Sequence, residues 1–406
     1  MTRATPITTS GAAPRSAVIV DAVRTPLGLR NGLLKNWHPV DLAALTLRAI
    51  VERNELDPAV VDDVIIGCVT QVGEQAGNLA RNATLAAGFP ASVPATTVDR
   101  QCGSGQQAVH FAAQGVMAGA YDVVIAAGVE VMSRVPIGAA VATGPGSPFS
   151  RSVLARYADA GGLQPLGVLA ELIAERWAIS RDDCDEYASR SIERAAQAAS
   201  AGRFDLEVVA VEIKTARGTE SLRVDEAVRR TLSARPDTAE RLARLKPAFR
   251  TGGRITSGNS APIADGSAAV LIMSEAAAQR LGTRPMARFH TFAVTGVDPN
   301  AAPAGAIDAT TCVLRRSHLA IGDIDRCEID EAFAAAALAW HRAHKVDPDR
   351  VNVNGGAIAL GHPLGCSGAR MLTTLVHDLV RNGGRFGLQA MSEAGGTANA
   401  AIIERF

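Results

Sequence analysis

One cysteine stands in a setting that could activate a thiol for nucleophilic chemistry. Cys102 lies in the segment 99–105 (DRQCGSG), directly after the β-branched run 95–98. Apolar residues then recur at helical spacing from Ala108 to Val116. The pattern predicts that Cys102 lies where a buried strand turns into a helix, facing unpaired N–H groups and the positive end of the helix dipole. Both would favour the thiolate; the alternative is a buried, inert cysteine.

A histidine in a second glycine-rich turn could serve as the base for this thiol. His362 lies in the segment 355–368 (GGAIALGHPLGCSG), between a predicted strand over 351–354 and an amphipathic helix. The glycines and Pro363 leave little side-chain bulk around the imidazole, although a lone histidine is often structural. Paired with Cys102, His362 would remove the thiol proton and afterwards donate to an oxyanion.

The elements that must position these residues alternate between apolar strands and helices. Strands are predicted at 17–20, 64–69, 121–128 and 265–272, and helices at 40–51 and 78–87. This alternation predicts a layered α/β fold with a parallel or mixed sheet. From Arg151 to about Arg254 the chain is polar and rich in arginine. Those arginines are either a solvated surface or a clamp for a phosphorylated ligand.

Composition excludes several classes of protein. The 406 residues are 47% hydrophobic and 20% charged, enough for two or three domains or one duplicated α/β unit. Equal counts of 41 basic and 41 acidic residues give no reason to expect nucleic acid or a membrane surface as a partner. The six cysteines have no CxxC or metal-ligand spacing, so we expect reduced thiols in the cytoplasm and no metal. Residues 1–16 lack an apolar signal-peptide core and are expected to form a loose tail.

These motifs resemble those of the thiolase family over almost the whole chain, from about Ala17 to Phe406. The matching segments are the cysteine motif at 99–105, the histidine motif at 355–368, and shorter motifs at 24–28, 246–249, 258–259, 265–266 and 331–334. The resemblance implies a five-layered αβαβα fold of two topologically equivalent halves with mixed sheets. The expected domains are 1–133 with 259–283 for the N-terminal half, 134–258 for an inserted loop domain that binds CoA, and 284–406 for the C-terminal half.

The resemblance also implies a reaction, two-step acyl transfer through an acyl-enzyme on Cys102 that CoA or a second acyl-CoA resolves. His362 would activate Cys102 and help to bind the thioester oxygen. The backbone N–H groups of Cys102 and Ala394 would form the oxyanion hole. CoA would be a substrate rather than a permanently bound cofactor, and the protein would be a homodimer or homotetramer.

The binding residues implied by the resemblance lie in the insertion and around the cysteine. Arg229 or Arg230 would contact the nucleotide end of CoA, and Ala261 stands where many thiolases have a serine that contacts the pantetheine arm. The segment 164–166 lacks the histidine of acetoacetyl-CoA-specific members, which favours the broad-chain degradative branch. The residues expected to contact CoA or substrate are Arg229, Arg230, Ala261, Leu166, Phe333 and Met132.

Ser392 departs from the family's pattern, because that position is usually a second cysteine that moves the α-proton in the carbon–carbon step. A hydroxyl is a far weaker acid than a thiol, whose ordinary pKa is about 8.5. Losing a positioned proton-transfer group lowers a rate by roughly 10²–10⁴-fold. The alternative is that Ser392 is an isosteric replacement without consequence. The neighbouring Glu393 is expected to point elsewhere.

Asp330 departs as well, because it stands where the family usually has an asparagine that holds a catalytic water. The carboxylate would hold the same water, pair with His362 and favour an imidazolium, or cap the helix that follows. Its charge would oppose a developing anion 4 Å away by about 4 kcal/mol at an effective dielectric of 20.

These departures leave three functions open. The first is a 3-ketoacyl-CoA thiolase, acting in cleavage or in the reverse Claisen condensation. The second is a thiolase-like acyltransferase or thioester hydrolase with weak carbon–carbon chemistry. The third is a non-catalytic member that binds acyl-CoA. A decarboxylating ketosynthase, outside the family, would need different partners for the nucleophile, and the histidine motif argues against it.

Overall fold

The computed structural model describes residues 15–142, 144–215, 218–233 and 238–406. Of the expected loose tail, residues 1–14 lie outside this described part. No helix within it is both long and apolar enough to cross a membrane.

The helices and strands are numbered in chain order. The first part of the chain contains β1 Ala17–Arg24, β2 Gly28–Leu29, α1 Pro39–Arg53, β3 Asp63–Gly67, α2 Leu79–Ala86, β4 Ala95–Val98, α3 Ser104–Met117 and β5 Val123–Val131. The middle part contains α4 Ala139–Ala142, α5 Arg151–Arg156, α6 Leu166–Arg176, α7 Arg181–Ser200, β6 Val211–Thr215, β7 Gly218–Leu222, α8 Glu226–Ser233 and α9 Thr238–Ala243. The last part contains β8 Ala264–Ser274, α10 Glu275–Arg280, β9 Ala287–Gly296, α11 Gly305–Ser317, β10 Arg326–Ile329, α12 Ala334–His344, α13 Ala357–Leu360, α14 Leu364–Asn382, β11 Phe386–Glu393 and β12 Thr397–Arg405.

Ten strands form one mixed sheet in the order β10-β11-β12-β9-β1-β8-β5-β3-β4, with β2 paired to β8. The two halves of the sheet meet where β1 and β9 pair antiparallel at Val18–Arg288 and Ile19–Ala287. Each half has a parallel part, made by β3 with β4 and β5 in one and by β10 with β11 in the other. The mixed α/β class expected from the sequence is confirmed.

Apolar clusters cover both faces of each half-sheet and so define five layers. Leu47 of α1 belongs to the cluster on one face of the first half-sheet, together with α2. Leu372 of α14 packs with α3 in a cluster that includes strand residues of both half-sheets, so these two helices lie between them. Trp340 of α12 and Val313 of α11 cover the outer face of the second half-sheet. The order of layers is therefore αβαβα, as expected.

The helices α3 and α14 approach closely at their N-terminal ends because glycines remove the side chains there. A Cβ on Gly105 would lie 2.7 Å from the carbonyl oxygen of Gly365, and a Cβ on Gly368 would overlap the backbone of α3. Larger residues at these positions would push the helices apart. Cys102 precedes α3 by two residues, and His362 precedes α14 by two. The contact between the helices thus brings both turns to one place.

The middle part of the chain is attached to the halves through buried charges. Arg24 of β1 is fully buried and pairs with Glu207 at 2.6 Å and with Asp225 at 2.7 Å, both from the middle part. Glu331 accepts a hydrogen bond from the Tyr187 hydroxyl of α7 at 3.0 Å. Buried charges that are paired in this way hold the insertion in one position over the sheet, because breaking a pair would leave an uncompensated charge.

Three local expectations are corrected. The strand β4 forms, but it is the half-exposed last strand of the sheet rather than a buried one. The strand expected at 351–354 is a single bridge at Val351 followed by a turn, in which Asn352 has a φ of 45° that a strand does not allow. The helix α12 begins four residues after Asp330 rather than at it.

Candidate active site

Cys102 borders a narrow cavity of about 20 Å³, which is room for about one water molecule. We call it the Cys102 cavity, and its other lining residues are Leu166, Ala302, Pro303, Asp330, Ala332, Phe333, Ala336, Ser392, Glu393 and Ala394. Several residues predicted from the sequence therefore come together here from distant parts of the chain. Met132 belongs to the buried apolar cluster that contains Cys102 and does not line the cavity.

The surroundings of Cys102 favour its neutral thiol over the thiolate. Burial raises its pKa well above the ordinary value, and the charges of Asp330 and Glu393 raise it further. The backbone N–H groups of Ala394 and Cys102 itself act in the opposite direction. The backbone N–H groups thus favour the thiolate, as expected, but burial and two carboxyl groups outweigh them. Attack by the sulfur needs a base that takes the proton as the bond forms.

His362 is held in the tautomer that leaves Nε2 free to act as this base. The Ser367 hydroxyl donates to the carbonyl oxygen of Pro363 at 3.0 Å and lies 2.7 Å from Nδ1 of His362. Because the Ser367 hydroxyl donates its proton to Pro363, the Ser367 oxygen accepts from Nδ1–H of His362. The lone pair of the imidazole is therefore on Nε2. Nε2 is buried and has no hydrogen-bond partner among the described residues. Burial, with a contribution from Arg370, lowers the pKa of His362 to about 4.

Asp330 is a neighbour of both the proposed base and the proposed nucleophile. Its Oδ1 is 4.0 Å from Nδ1 of His362, and its charge acts on Cys102, with which it shares the cavity. Burial raises the pKa of Asp330 to about 7, although Arg370 and the two backbone N–H groups that follow it lower the pKa. The Cys102 and His362 side chains thus both adjoin one carboxyl group.

Two of the alternatives for Asp330 are corrected. It does not cap α12, whose N-cap residue is Phe333. It does not favour an imidazolium in this structure either, because pKa values of about 7 for Asp330 and about 4 for His362 leave a protonated carboxyl group beside a neutral imidazole between those values. The water-holding role stays a prediction.

The Ser392 hydroxyl is engaged with the backbone at the start of α11. It donates to the carbonyl oxygen of Pro303 at 3.0 Å and accepts from the N–H of Ala306 at 3.0 Å. Ala306 lies in the first turn of α11, so this position is a helix N-terminus. A thiol placed here would be favoured as a thiolate, whereas the hydroxyl proton of Ser392 is committed to a carbonyl group.

Glu393 is a site residue that the sequence analysis missed. Its carboxyl group is buried against Gly103, where no Cβ would fit, instead of pointing away from Cys102. Burial raises its pKa to about 7, although the Thr397 side chain and Arg100 lower the pKa. Strand alternation does place Ser392 and Glu393 on opposite faces. Both faces of β11 are interior, however, because the strand is covered on both sides.

A groove of about 310 Å³ lies where the resemblance places CoA, and we call it the Arg230 groove. Arg230 of α8 and Arg241 of α9 line it together with Ser260. Ser260 also forms a β-bridge with Phe333, which lines the Cys102 cavity. The Arg230 groove and the Cys102 cavity are therefore neighbours, separated by one strand-like contact.

Ala261 and Arg229, which are also predicted to contact CoA, do not line the Arg230 groove. The N–H of Ala261 donates to the carbonyl oxygen of Ala332 at 3.1 Å, so its backbone joins the groove to the cavity although its side chain lines neither. Arg229 pairs with Glu220 and Arg230 pairs with Glu226, but only Arg230 lines the groove. Of the two arginines, Arg230 is the one in position to meet a ligand.

A larger cavity of about 550 Å³ adjoins the Cys102 cavity, and we call it the outer cavity. The two cavities share Leu166 and Ala394. The lining of the outer cavity is mostly apolar and includes Leu163, Pro165, Leu169, Pro299 and the rings of Phe149 and Tyr157. Its volume is in the range of small-molecule sites, about 300–1,000 Å³.

The αβαβα fold, with Cys102 and His362 in the adjoining turns before α3 and α14, defines the class of protein to which the chain is compared. The chain matches the family model described as "Thiolase, N-terminal domain" over residues 17–276 and the one described as "Thiolase, C-terminal domain" over 283–405. The chain therefore belongs to the thiolase family, whose members use CoA as a substrate and hold no permanent cofactor.

Curated relatives match over nearly their full length. A steroid 3-ketoacyl-CoA thiolase of Mycobacterium tuberculosis is 47% identical over 401 residues, which is 97% of this chain and 95% of the relative. A beta-ketoadipyl-CoA thiolase of Escherichia coli is 43% identical and covers 96% of this chain and 100% of the relative.

Solved structures agree in fold. The crystal structure of human mitochondrial 3-ketoacyl-CoA thiolase has a TM-score of 0.87 at 37% identity, over 97% of this chain and 100% of that one. The same human enzyme in complex with CoA has a TM-score of 0.85 at 36% identity, over 97% of this chain and 98% of that one.

Proposed function

We propose that this chain is a 3-ketoacyl-CoA thiolase, an acetyl-CoA C-acyltransferase that works through an acyl-enzyme on Cys102. The observation that carries the proposal is the close contact of α3 and α14, which brings the turn that carries the buried thiol of Cys102 to the turn that carries the buried imidazole of His362. His362 is fixed with its basic nitrogen free, and Cys102 needs a base to react. Each residue supplies what the other lacks.

The first step is attack of the Cys102 sulfur on the 3-keto carbon while Nε2 of His362 takes the thiol proton. The oxygen that becomes negative is stabilised by the N–H groups of Cys102 and Ala394, which already act on the sulfur. Cleavage of the carbon–carbon bond leaves the acyl group on Cys102 and releases acetyl-CoA as its enolate, which then takes a proton at carbon. CoA then resolves the acyl-enzyme, and His362 returns its proton to Cys102.

The Arg230 groove is proposed to hold CoA. Its two arginines supply positive charge for phosphate groups. The bridge between Ser260 and Phe333 provides a short route for the pantetheine arm from this groove to the sulfur of Cys102.

The outer cavity is proposed to hold the acyl group, which is therefore large and apolar. The supporting observations are its volume of about 550 Å³, its apolar lining and its contact with the Cys102 cavity at Leu166. A relative named for steroid 3-ketoacyl-CoA substrates is 47% identical, and the relative named for beta-ketoadipyl-CoA is 43% identical. The polar rim residue Arg156 would suit the second class, so both belong in the test.

A homodimer or homotetramer is proposed as the working form. The strand β4 ends the sheet and is half-exposed, and an open strand edge offers backbone groups to a second copy of the chain. Size-exclusion chromatography with light scattering would test this, and a monomer at micromolar concentration would contradict it.

One set of assays separates this function from its rivals. The purified chain is incubated with a long-chain 3-ketoacyl-CoA, acetoacetyl-CoA or beta-ketoadipyl-CoA, with and without CoA, beside a Cys102→Ser control. Intact mass reports the acyl-enzyme, and chromatography of the thioesters reports cleavage. A thiolase shows both, and the control shows neither. Acylation without cleavage would instead indicate an acyltransferase or hydrolase, which the engaged hydroxyl of Ser392 favours. No acylation would indicate a non-catalytic protein.

A further inference from the structure

Thiolase cleavage of a carbon–carbon bond leaves an enolate that must take a proton at carbon. Ser392 stands where the family keeps the thiol for this step, but its hydroxyl proton is donated to Pro303 and its acidity is far below that of a thiol. A chain that cleaves 3-ketoacyl-CoA therefore needs another proton carrier in the cavity.

We propose that Asp330 transfers the α-proton in this chain, in place of Ser392. The inference rests on the proposed thiolase function and assigns one step of it. Asp330 lines the cavity that contains Cys102 and Ser392, so it faces the space in which the substrate carbon must lie.

The carboxyl group of Asp330 is both fixed and available. Its side chain is only 3% exposed, and the backbone N–H groups of Glu331 and Ala332 face it. Its Oδ1 is buried without a hydrogen-bond partner among the described residues. A buried polar atom without a partner is rare in a folded protein and indicates a place for an exchangeable proton or a ligand.

Asp330 is also beside the group that would stabilise the enolate oxygen. Its Oδ1 lies 4.0 Å from Nδ1 of His362. The oxygen and the carbon of an enolate are two bonds apart, so the groups that serve them must be neighbours. Once His362 carries the thiol proton, the carboxylate left on Asp330 also stabilises the imidazolium.

Glu393 is the competing candidate, and its position is less suitable. Its carboxyl group is packed on Gly103, at the back of the turn that carries Cys102. Like Asp330, Glu393 lines the Cys102 cavity, and its buried oxygens have no hydrogen-bond partner among the described residues. The two carboxyl groups differ in that an oxygen of Asp330 lies 4.0 Å from the ring of His362, whereas no such approach places Glu393 beside His362 in the described part of the chain.

The proton balance closes over one turnover. The Asp330 O–H bond breaks as the C–H bond of acetyl-CoA forms, which leaves a carboxylate. CoA then enters, and this carboxylate takes its thiol proton as the CoA sulfur attacks the acyl group. Cys102 leaves as a thiolate and is reprotonated by His362. No outside acid, base or oxidant is needed.

The scheme makes the two half-reactions depend on pH in opposite directions. Protonation of the enolate needs the carboxylic acid, and removal of an α-proton from acetyl-CoA needs the carboxylate. The charged or titratable groups that act on Asp330 or on which it acts are Arg370, His362, Cys102 and Glu393. Burial outweighs Arg370 and puts the pKa of Asp330 at about 7. Cleavage is therefore expected to fall as the pH rises above 7, and α-proton removal to fall as the pH drops below 7.

The test uses Asp330→Asn, Ser392→Cys, the double variant and Glu393→Gln in the full-length chain. Three readouts are measured: acylation of Cys102 by an acyl-CoA, which moves no α-proton; cleavage of 3-ketoacyl-CoA; and deuterium incorporation at the α-carbon of acetyl-CoA in D₂O. Acylation also shows that each variant is folded at the site.

We expect Asp330→Asn to lower cleavage and deuterium incorporation by roughly 10²–10⁴-fold, with acylation changed less than about tenfold. Adding Ser392→Cys to this variant should raise cleavage and deuterium incorporation at least about tenfold, and neither should then follow the pH dependence set by Asp330. Glu393→Gln should keep the wild-type pH dependence of both reactions.

The inference is overturned if Asp330→Asn cleaves as well as the wild type. It is also overturned if Glu393→Gln, and not Asp330→Asn, abolishes the pH dependence of cleavage and of α-proton removal. In either case wild-type cleavage would leave the proposed function standing. A wild-type chain that is never acylated would refute the proposed thiolase function and the role of Asp330. A wild-type chain that is acylated but shows neither cleavage nor deuterium exchange would refute the role of Asp330 and the carbon–carbon cleavage, but not acyl transfer.

Discussion

The Ser367 hydroxyl lies 2.7 Å from Nδ1 of His362, across the first turn of α14. The same hydroxyl donates to the carbonyl oxygen of Pro363, so it can only accept from the ring. One serine thereby decides which nitrogen of His362 carries the lone pair and can act as a base. The base and the group that orients it come from one short segment, and they move together if the segment moves.

Ser367→Ala should slow acylation of Cys102 by about tenfold, because the loss of a hydrogen bond worth about 1–1.5 kcal/mol lets the imidazole change tautomer or rotate. The KM for acyl-CoA should change little, since Ser367 is a positioning residue. Rapid-quench intact mass measures the rate.

Thr373→Val is the matched control, because it removes another buried hydroxyl of α14, bonded to the carbonyl oxygen of Ala369, without touching His362. Ser367→Thr should restore most of the rate. Equal rates for Ser367→Ala and Thr373→Val would contradict the orienting role.

Glu393→Gln should make Cys102 more reactive toward iodoacetamide at pH 8, by about tenfold. The carboxylate of Glu393 raises the pKa of the Cys102 thiol, and its removal increases the fraction of thiolate. Because the pKa of Glu393 is about 7, the carboxyl group of the wild type is mostly neutral below pH 6. The difference in alkylation rate between variant and wild type should therefore shrink there. Peptide mass spectrometry after timed alkylation gives the rate.

The half-buried Cys312 of α11 provides an internal reference in the same sample. Its alkylation rate should be the same in wild type and variant. An unchanged Cys102 rate, or a parallel change at both cysteines, would show that Glu393 does not act on the nucleophile.

Much of this site follows from local pattern. Apolar periodicity and glycine placement predict the turns before α3 and α14, and with them the pairing of Cys102 and His362. The helix predicted at 40–51 lies within α1 Pro39–Arg53, because apolar residues at helical spacing mark the face that is buried.

What the local pattern misses depends on the order of strands and on distant contacts. Nothing in the segment 95–98 tells an edge strand from a central one, since that depends on which strands pair beside it. Burial raises the pKa of Cys102, and it is raised further by Asp330 and Glu393, which are more than two hundred residues away in sequence. Alternation along β11 separates Ser392 from Glu393 but does not reveal that both sides of the strand are interior.

The buried carboxyl groups should make the fold less stable as the pH rises. A Glu393 pKa of about 7 in the folded chain, against about 4.5 when unfolded, means that the folded state holds a proton that the unfolded state has lost between these values. The stabilisation is complete below pH 4.5 and is lost as the pH rises through 7. Glu393→Gln should remove this dependence, worth up to about 3 kcal/mol at 1.36 kcal/mol per pKa unit.

Urea unfolding midpoints at pH 5 and pH 8 measure the effect. Glu52→Gln, on the exposed surface of α1, is the control and should follow the wild type at both values. A Glu393→Gln variant that also follows the wild type would show that the Glu393 carboxyl group titrates near its ordinary pKa in the fold.

Leu166 lines both the Cys102 cavity and the outer cavity, so it borders the passage that the acyl group would use between them. Leu166→Trp should close that passage and exclude a long acyl chain whose burial is worth about 1.5–3 kcal/mol, so kcat/KM for a long-chain 3-ketoacyl-CoA should fall about 10–100-fold. Acetoacetyl-CoA has a short acyl group that does not need the outer cavity, so its kcat/KM should fall less than about threefold. Leu172→Trp, on the exposed side of the same helix, leaves both cavities unchanged and should alter neither substrate. Equal losses for the two substrates in Leu166→Trp would show that the outer cavity does not hold the acyl group, because a blocked acyl site discriminates by chain length whereas a damaged nucleophile does not.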